Sequence, residues 1–259
     1  MGRLMQFSAN LGFLWKELAL PDAIRAAKAA GFDAVECHWP YAFDPALVKA
    51  ALMETELPML GLNTSQGDVA RGDNGLSALP DRITEARAAI DQAVAYAEAI
   101  GARNIHVMAG FASGAEAHET FVDNLQYASA LAAAKGISVL IEPLNRYDAP
   151  GYFLQSTGQA TAIIAEVGAP NLKLMFDCYH VQLMEGDLTH KLAQLKDHIG
   201  HIQFASVPDR GAPDHGEVNF DHIFHLIKEL GYAMPLGAEY KPQGPTNLSL
   251  HWFENARLI

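Results

Sequence analysis

The chain is short of cysteine, of positive charge and of long apolar runs, and each shortage closes off a class of protein. Its 259 residues include only two cysteines, Cys37 and Cys178. Neither belongs to a CxxC pair, so no zinc finger or dithiol redox motif is present, and a reduced, cytoplasmic protein is expected. Basic residues number 18 against 30 acidic ones, a formal net charge of −12. That balance argues against a nucleic-acid or anionic-membrane surface, although local cations or a metal can still reverse the field inside a cleft. No apolar stretch approaches the ~20 residues that cross a bilayer. Residues 1–6 (MGRLMQ) lead straight into a strand-like run, without the charged and apolar regions of a signal peptide. No Gly-x-Gly-x-x-Gly follows the first strand, no linker rich in Pro, Gly or Ser divides the chain, and no solenoid repeat is visible.

What remains is an alternation of short apolar runs with longer helical segments. Strands are predicted near 6–10, 34–38, 59–63, 104–108, 138–142, 173–177, 201–204 and 236–240. Helices are predicted near 21–30, 45–54, 82–100, 116–134, 157–167, 180–196, 221–230 and 247–254. Pro21 and Pro45 suit first helical turns, and Gly31, Gly101, Gly136, Gly168 and Gly231 stand where left-handed caps are expected. Eight β/α units in 259 residues, with 50% apolar content and mean hydropathy +0.03, predict an α/β fold: one (β/α)8 TIM barrel spanning 1–259. An open doubly wound sheet is the weaker alternative, because it lacks its phosphate-binding turn. The polar, glycine-rich segment 65–80 follows the third strand, and reads either as a lid over the mouth or as a tolerated insertion.

Four of the strands end on an oxygen-bearing side chain: Glu142, Asp177, Gln203 and Glu239. In a closed parallel barrel those ends converge on one mouth. Taken singly, Asp177 reads as a helix N-cap and Gln203 as a satisfied core amide. Taken together, three carboxylates in one partly buried mouth repel one another unless a cation intervenes. An all-oxygen donor set suits Mg²⁺ or Mn²⁺ better than zinc.

The same residues carry a family resemblance. The segments IEPLNRYDAPGYFL at 141–154, FDCYHVQ at 176–182, MEGDLT at 184–189 and GAEYKP at 237–242 resemble hydroxypyruvate isomerases. So do FSANL at 7–11, GFDAVE at 31–36 and HGEVN at 215–219. The resemblance covers essentially the whole chain and places it among the xylose isomerase-like TIM barrels, beside 2-oxotetronate isomerases and ketose 3-epimerases. It implies that Glu142, Asp177, Gln203 and Glu239 are metal ligands and that Glu142 and Glu239 are the paired catalytic acids. The related sugar epimerases commonly have His where this chain has Gln203, which favours the hydroxypyruvate and oxotetronate branch. The expected reaction interconverts hydroxypyruvate and 2-hydroxy-3-oxopropanoate (tartronate semialdehyde) by proton transfer through an enediolate. A 2-oxotetronate isomerase and a ketose 3-epimerase are the alternatives.

Three residues are candidate substrate holders for a small hydroxy or keto acid. His180 lies three residues after Asp177, Arg210 offers a fork matched to a carboxylate, and Lys241 follows Glu239 by two and so shares its strand face. Their structural alternatives are a capping His, a loop ion pair with Asp209 or Asp214, and a counter-charge for the cage. Glu36, His38 and His106 read as hydrogen-bonded supports. Asn10 and Asn63 read as structural amides, and Glu217 as a supporting or subunit contact. His190, His198, His222 and His225 read as solvated surface, leaving too few strand-end histidines for a trinuclear zinc nuclease. Exposed barrel helices are compatible with a homo-oligomer, but no interface is legible.

Overall fold

Eight parallel strands form one sheet in the order β2-β1-β8-β7-β6-β5-β4-β3. They are β1 (Phe7–Asn10), β2 (Ala34–Glu36), β3 (Gly61–Asn63), β4 (Asn104–His106), β5 (Ser138–Ile141), β6 (Leu172–Asp177), β7 (Ile199–Phe204) and β8 (Leu236–Ala238). The computed structural model describes residues 4–259, so the first three residues of the amino-terminal segment read above lie outside it. A parallel bridge between Val35 and Met59, with Leu60 N–H donating to Val35 C=O at 2.7 Å, joins the two edges. The sheet thereby curls into the expected barrel. Its strands are buried on both faces, so they read as continuous apolar runs rather than alternating ones.

The outer layer holds α1 (Leu20–Ala29), α2 (Pro45–Thr55), α3 (Ile83–Ile100), α4 (Ala115–Ala133), α5 (Thr157–Val167), α6 (Cys178–Met184), α7 (Leu188–Leu195), α8 (Phe220–Glu229) and α9 (Phe253–Arg257). Side-chain caps start several of them: Asp44 for α2, Ser156 for α5, Asp177 for α6 and Asn219 for α8. The predicted helix 180–196 is two helices. Gly186 and Asp187 both take left-handed φ, at 66° and 51°, and turn the chain between α6 and α7. The predicted helix 247–254 resolves into a 3-10 turn at Thr246–Ser249 followed by α9. Ser249 Oγ donates back to Thr246 C=O at 2.8 Å, a local bond that competes with helix continuation.

Segment 65–80 is stitched down along its second half. Ser77 and Ala78 N–H donate to Met108 and Ala109 C=O, and Asn124 Nδ2 donates to Ser77 C=O at 2.9 Å. Leu76, Ser77 and Ala78 are buried, while the 3-10 turn Val69–Arg71 stands exposed.

An aromatic cluster locks α8 and α9 onto the barrel. The fully buried Phe7 ring meets Phe204, Phe224 and Trp252 edge-on at 5.8, 5.4 and 5.1 Å between centroids. Phe7→Ala removes all of these contacts and is expected to cost about 3–5 kcal/mol. Urea unfolding should show this as a lower midpoint at an unchanged slope.

Candidate active site

Asp177 and Gln203 lie opposite each other on neighbouring strands β6 and β7, and Glu142 and Glu239 follow β5 and β8 directly. All four side chains are buried at the same end of the barrel. Atoms of Glu142, Asp177 and His180 lie within 4.8 Å of one another, close enough to share one ion. One Arg210 nitrogen, Nη2, stands 2.6 Å from Glu239 Oε2 and 3.7 Å from Asp177 Oδ2, which ties Glu239 to the same centre.

The oxygens differ in what they already hold. Glu142 Oε1, Asp177 Oδ2 and Gln203 Oε1 are buried with no hydrogen-bond partner. Leaving three such acceptors dry is costly, so a donor or a cation is required there. Asp177 uses its other oxygen to cap α6, accepting Tyr179 N–H at 2.9 Å. Glu239 is far better satisfied. Its Oε1 accepts from Asn10 Nδ2 and His38 Nε2, each at 2.9 Å, and its Oε2 accepts from Arg210.

Electrostatics divides the acids accordingly. Burial raises the Glu142 carboxyl well above its ordinary range, and the charges of Glu239 and Asp177 push it further. Burial, then Glu239, lifts Asp177 to about 8. Burial acts on Glu239 in the same direction, but Arg210 and His38 outweigh it and hold this carboxyl below its ordinary value. The site therefore contains one firmly ionised acid facing others that resist ionisation without a cation. The buried, unsatisfied oxygens and the nearby His180 make a donor set that fits a divalent cation.

Of the predicted substrate holders, the structure brings two to the centre. His180 is buried, and burial lowers it to about 3, so the ring is neutral. Its Nδ1 accepts Asn145 N–H at 3.0 Å, which places the ring proton on Nε2, the atom 3.7 Å from Asp177 Oδ2. Arg210 lies between the rings of Phe13 and Tyr179, its guanidinium carbon 4.9 Å from each centroid. Its Nε has no partner. Lys241 is not brought in. β8 ends at Ala238, so strand alternation does not extend to Lys241, and its side chain is exposed with no ion pair to the cage acids among the described residues.

The structure gives two of the predicted hydrogen-bonded supports their partners. His38 contacts Glu239 directly, and its ring fills the space beside Gly12, where an added Cβ would lie 2.1 Å from Nδ1. Glu36 accepts bonds from three side chains at once. His106, buried and pushed down to about 3 by desolvation, stands 3.8 Å from Glu142. Glu217 is exposed and bonds Gln182.

The family profile of the xylose isomerase-like TIM barrel matches residues 24–256. The chain belongs to that family. It is 44% identical to a 2-oxo-tetronate isomerase of Cupriavidus necator over 96% of this chain and 97% of the relative. It is 39% identical to a hydroxypyruvate isomerase of Escherichia coli over 98% of this chain and all of the relative (100%). A crystal structure of a family 2 AP endonuclease from Brucella melitensis superposes with a TM-score of 0.94 at 37% identity, covering 98% of this chain and 100% of that one. Within the xylose isomerase-like TIM barrels, the chain is an enzyme of the isomerase type.

Proposed function

We propose that this enzyme interconverts hydroxypyruvate and 2-hydroxy-3-oxopropanoate, using a divalent cation held by Glu142, Asp177, Gln203 and Glu239. The observation that carries the reading is the pairing of two catalytic-type acids in opposite electrostatic settings around unsatisfied oxygens. When bound, the cation supplies electrophilic stabilisation of the negative charge that develops on the substrate oxygens. Glu142 and Glu239 divide the proton work: one takes the proton α to the carbonyl, and the other returns it at the adjacent carbon or moves the hydroxyl proton. His180 donates its Nε2 proton to a substrate oxygen. Arg210 offers its unpaired Nε to the substrate carboxylate, while Asp148 and Glu239 hold the rest of its guanidinium in place. The free, buried Cys37 and Cys178 suit a reduced cytoplasmic setting, and no helix among the described residues is long and apolar enough to cross a membrane.

The test is an NMR assay of purified enzyme with Mg²⁺ or Mn²⁺, following the conversion of hydroxypyruvate. Absence of conversion, with full activity on another substrate, sinks the assignment. The identity of 44% to a 2-oxo-tetronate isomerase favours a second reading, a four-carbon acid substrate at the same cage. Parallel kinetics on three- and four-carbon acids decide between them. For either substrate, Arg210→Gln should raise KM about 10–150-fold, the worth of a charged hydrogen bond of about 1.5–3 kcal/mol, and should lower kcat as well, because Arg210 holds the Glu239 carboxyl below its ordinary value. A DNA-cleaving activity is disfavoured by the net charge of −12 and by His201, whose Nε2 is already committed to Glu36. Incubation with abasic-site DNA checks that reading.

A further inference from the structure

Inside the barrel three donors converge on one buried carboxylate. Glu36 Oε1 accepts from Gln203 Nε2 at 2.7 Å and from Asn10 Nδ2 at 3.1 Å, and its Oε2 accepts from His201 Nε2 at 2.7 Å. All four side chains are buried. Glu36 is neither one of the cage oxygens nor one of the two acids, so the proposed reaction gives it no task.

Its effect falls on Gln203. A glutamine amide has a donor end and an acceptor end of nearly equal shape, and its terminal torsion is soft, so packing alone does not choose between them. Glu36 acts here only as an acceptor, taking bonds from Asn10, His201 and Gln203. Glu36 therefore holds the NH₂ end and turns the carbonyl away, leaving Oε1 as a buried oxygen without a partner. Gly237, paired with Gln203 across β7 and β8, makes this meeting sterically feasible. A Cβ there would lie 2.7 Å from Glu36 Oε1 and 2.8 Å from Gln203 Cγ.

We propose that Glu36 is a positioning residue that fixes the carbonyl end of Gln203 as a ligand oxygen and so sets the cage's affinity for a divalent cation. The proposal rests on the reading of the cage as a cation site. Outer contacts that orient a ligand are typically worth 10–100-fold in metal affinity, and that is the scale expected here.

The experiment titrates Mn²⁺ into chelator-stripped full-length protein and follows free Mn²⁺ by EPR, with Tm measured in parallel. Glu36→Gln can face Gln203 with either end, so the lock is lost, and Mn²⁺ should bind about 10-fold or more weakly. Gln203→Glu adds a negative charge to the cage but sets two carboxylates against each other, so it should bind no more tightly than wild type. The exchange variant, Glu36→Gln with Gln203→Glu, restores a donor–acceptor pair and should return the Kd to within about threefold of wild type, a rescue governed by the outer hydrogen bond. A merely structural Glu36 predicts a lower Tm, an unchanged Kd for Glu36→Gln and no rescue; that result overturns the proposal. If Glu36→Gln folds poorly, Gln203→Glu decides alone, because tighter binding by it shows that Glu36 has no hold. Wild type that fails to bind Mn²⁺ overturns the cage reading and this proposal together, whereas wild-type binding with an unaffected Glu36→Gln overturns this proposal only.

Discussion

Glu239→Gln and Glu142→Gln are each expected to lower kcat by about 10²–10⁴-fold, the range for removing a positioned acid or base. Their effects on stability should diverge. Glu239 is the partner that neutralises Arg210, a residue only 12% exposed at its side chain, and it also collects Asn10 and His38. Removing its charge leaves a buried guanidinium underpaired, at a cost of about 3–5 kcal/mol. Glu142 is the reverse case. Burial and its acidic neighbours already resist its ionisation, and its Oε1 has no donor. An amide there relieves repulsion, so cation-free Glu142→Gln should be as stable as wild type or more so. Steady-state kinetics together with thermal melts of both variants check the pair. Equal destabilisation by the two substitutions would contradict the electrostatic division drawn here.

The second large effect concerns the cation and pH. Chelation should abolish turnover, and Mn²⁺ at about 100 times its Kd should restore it and stabilise the fold by about 2.7 kcal/mol. For a chain of this size that corresponds to a rise in Tm on the order of 5–10 °C. The sign of the pH dependence follows from the buried acids. Asp177 titrates near 3.8 when unperturbed and at about 8 in the folded protein, and Glu142 is raised as well. Between those values the folded state keeps protons that the unfolded chain has released. The contribution is therefore whole below about 4 and lost as pH climbs through about 8. His106 and His180, lowered from 6.5 to about 3, act with the opposite sign, but only below pH 6.5. Chelated protein should consequently lose Tm between pH 6.5 and 8.5, and the rise given by Mn²⁺ should be larger at the upper end. Differential scanning calorimetry with and without chelator measures both.

Strand ends were the legible part of this molecule. Glu142, Asp177, Gln203 and Glu239 each close an apolar run, and barrel topology alone sends such residues to one mouth. His180 was legible for a related reason: it lies one turn into the helix that Asp177 caps. Lys241 was not legible in this way, because β8 stops at Ala238 before strand alternation reaches it, and its side chain is exposed. The break in helix 180–196 was hidden because Asp187 adopts a left-handed backbone that its side chain does not announce. The supports were hidden by distance. His38 meets Glu239 across 201 residues of chain, and Glu36 meets Gln203 across 167. No local pattern encodes such a pair, so only the assembled fold shows that Glu36 is a hub and His38 a direct neighbour of the acid.

If segment 65–80 is a cover over the proposed site, the bonds from Ser77 and Ala78 to the exit of β4 would set how it treats acids of different length. A hinged cover can wrap itself around whatever enters, and it then discriminates poorly by size. Here the second half of segment 65–80 is anchored, and the exposed turn Val69–Arg71 lies in its first half. On that reading, shielding a reactive intermediate from bulk water would fall largely to the guest molecule, which would have to plug the opening itself. An acid one carbon too short would then leave a gap for solvent, and one too long would lodge against the anchored half of the segment.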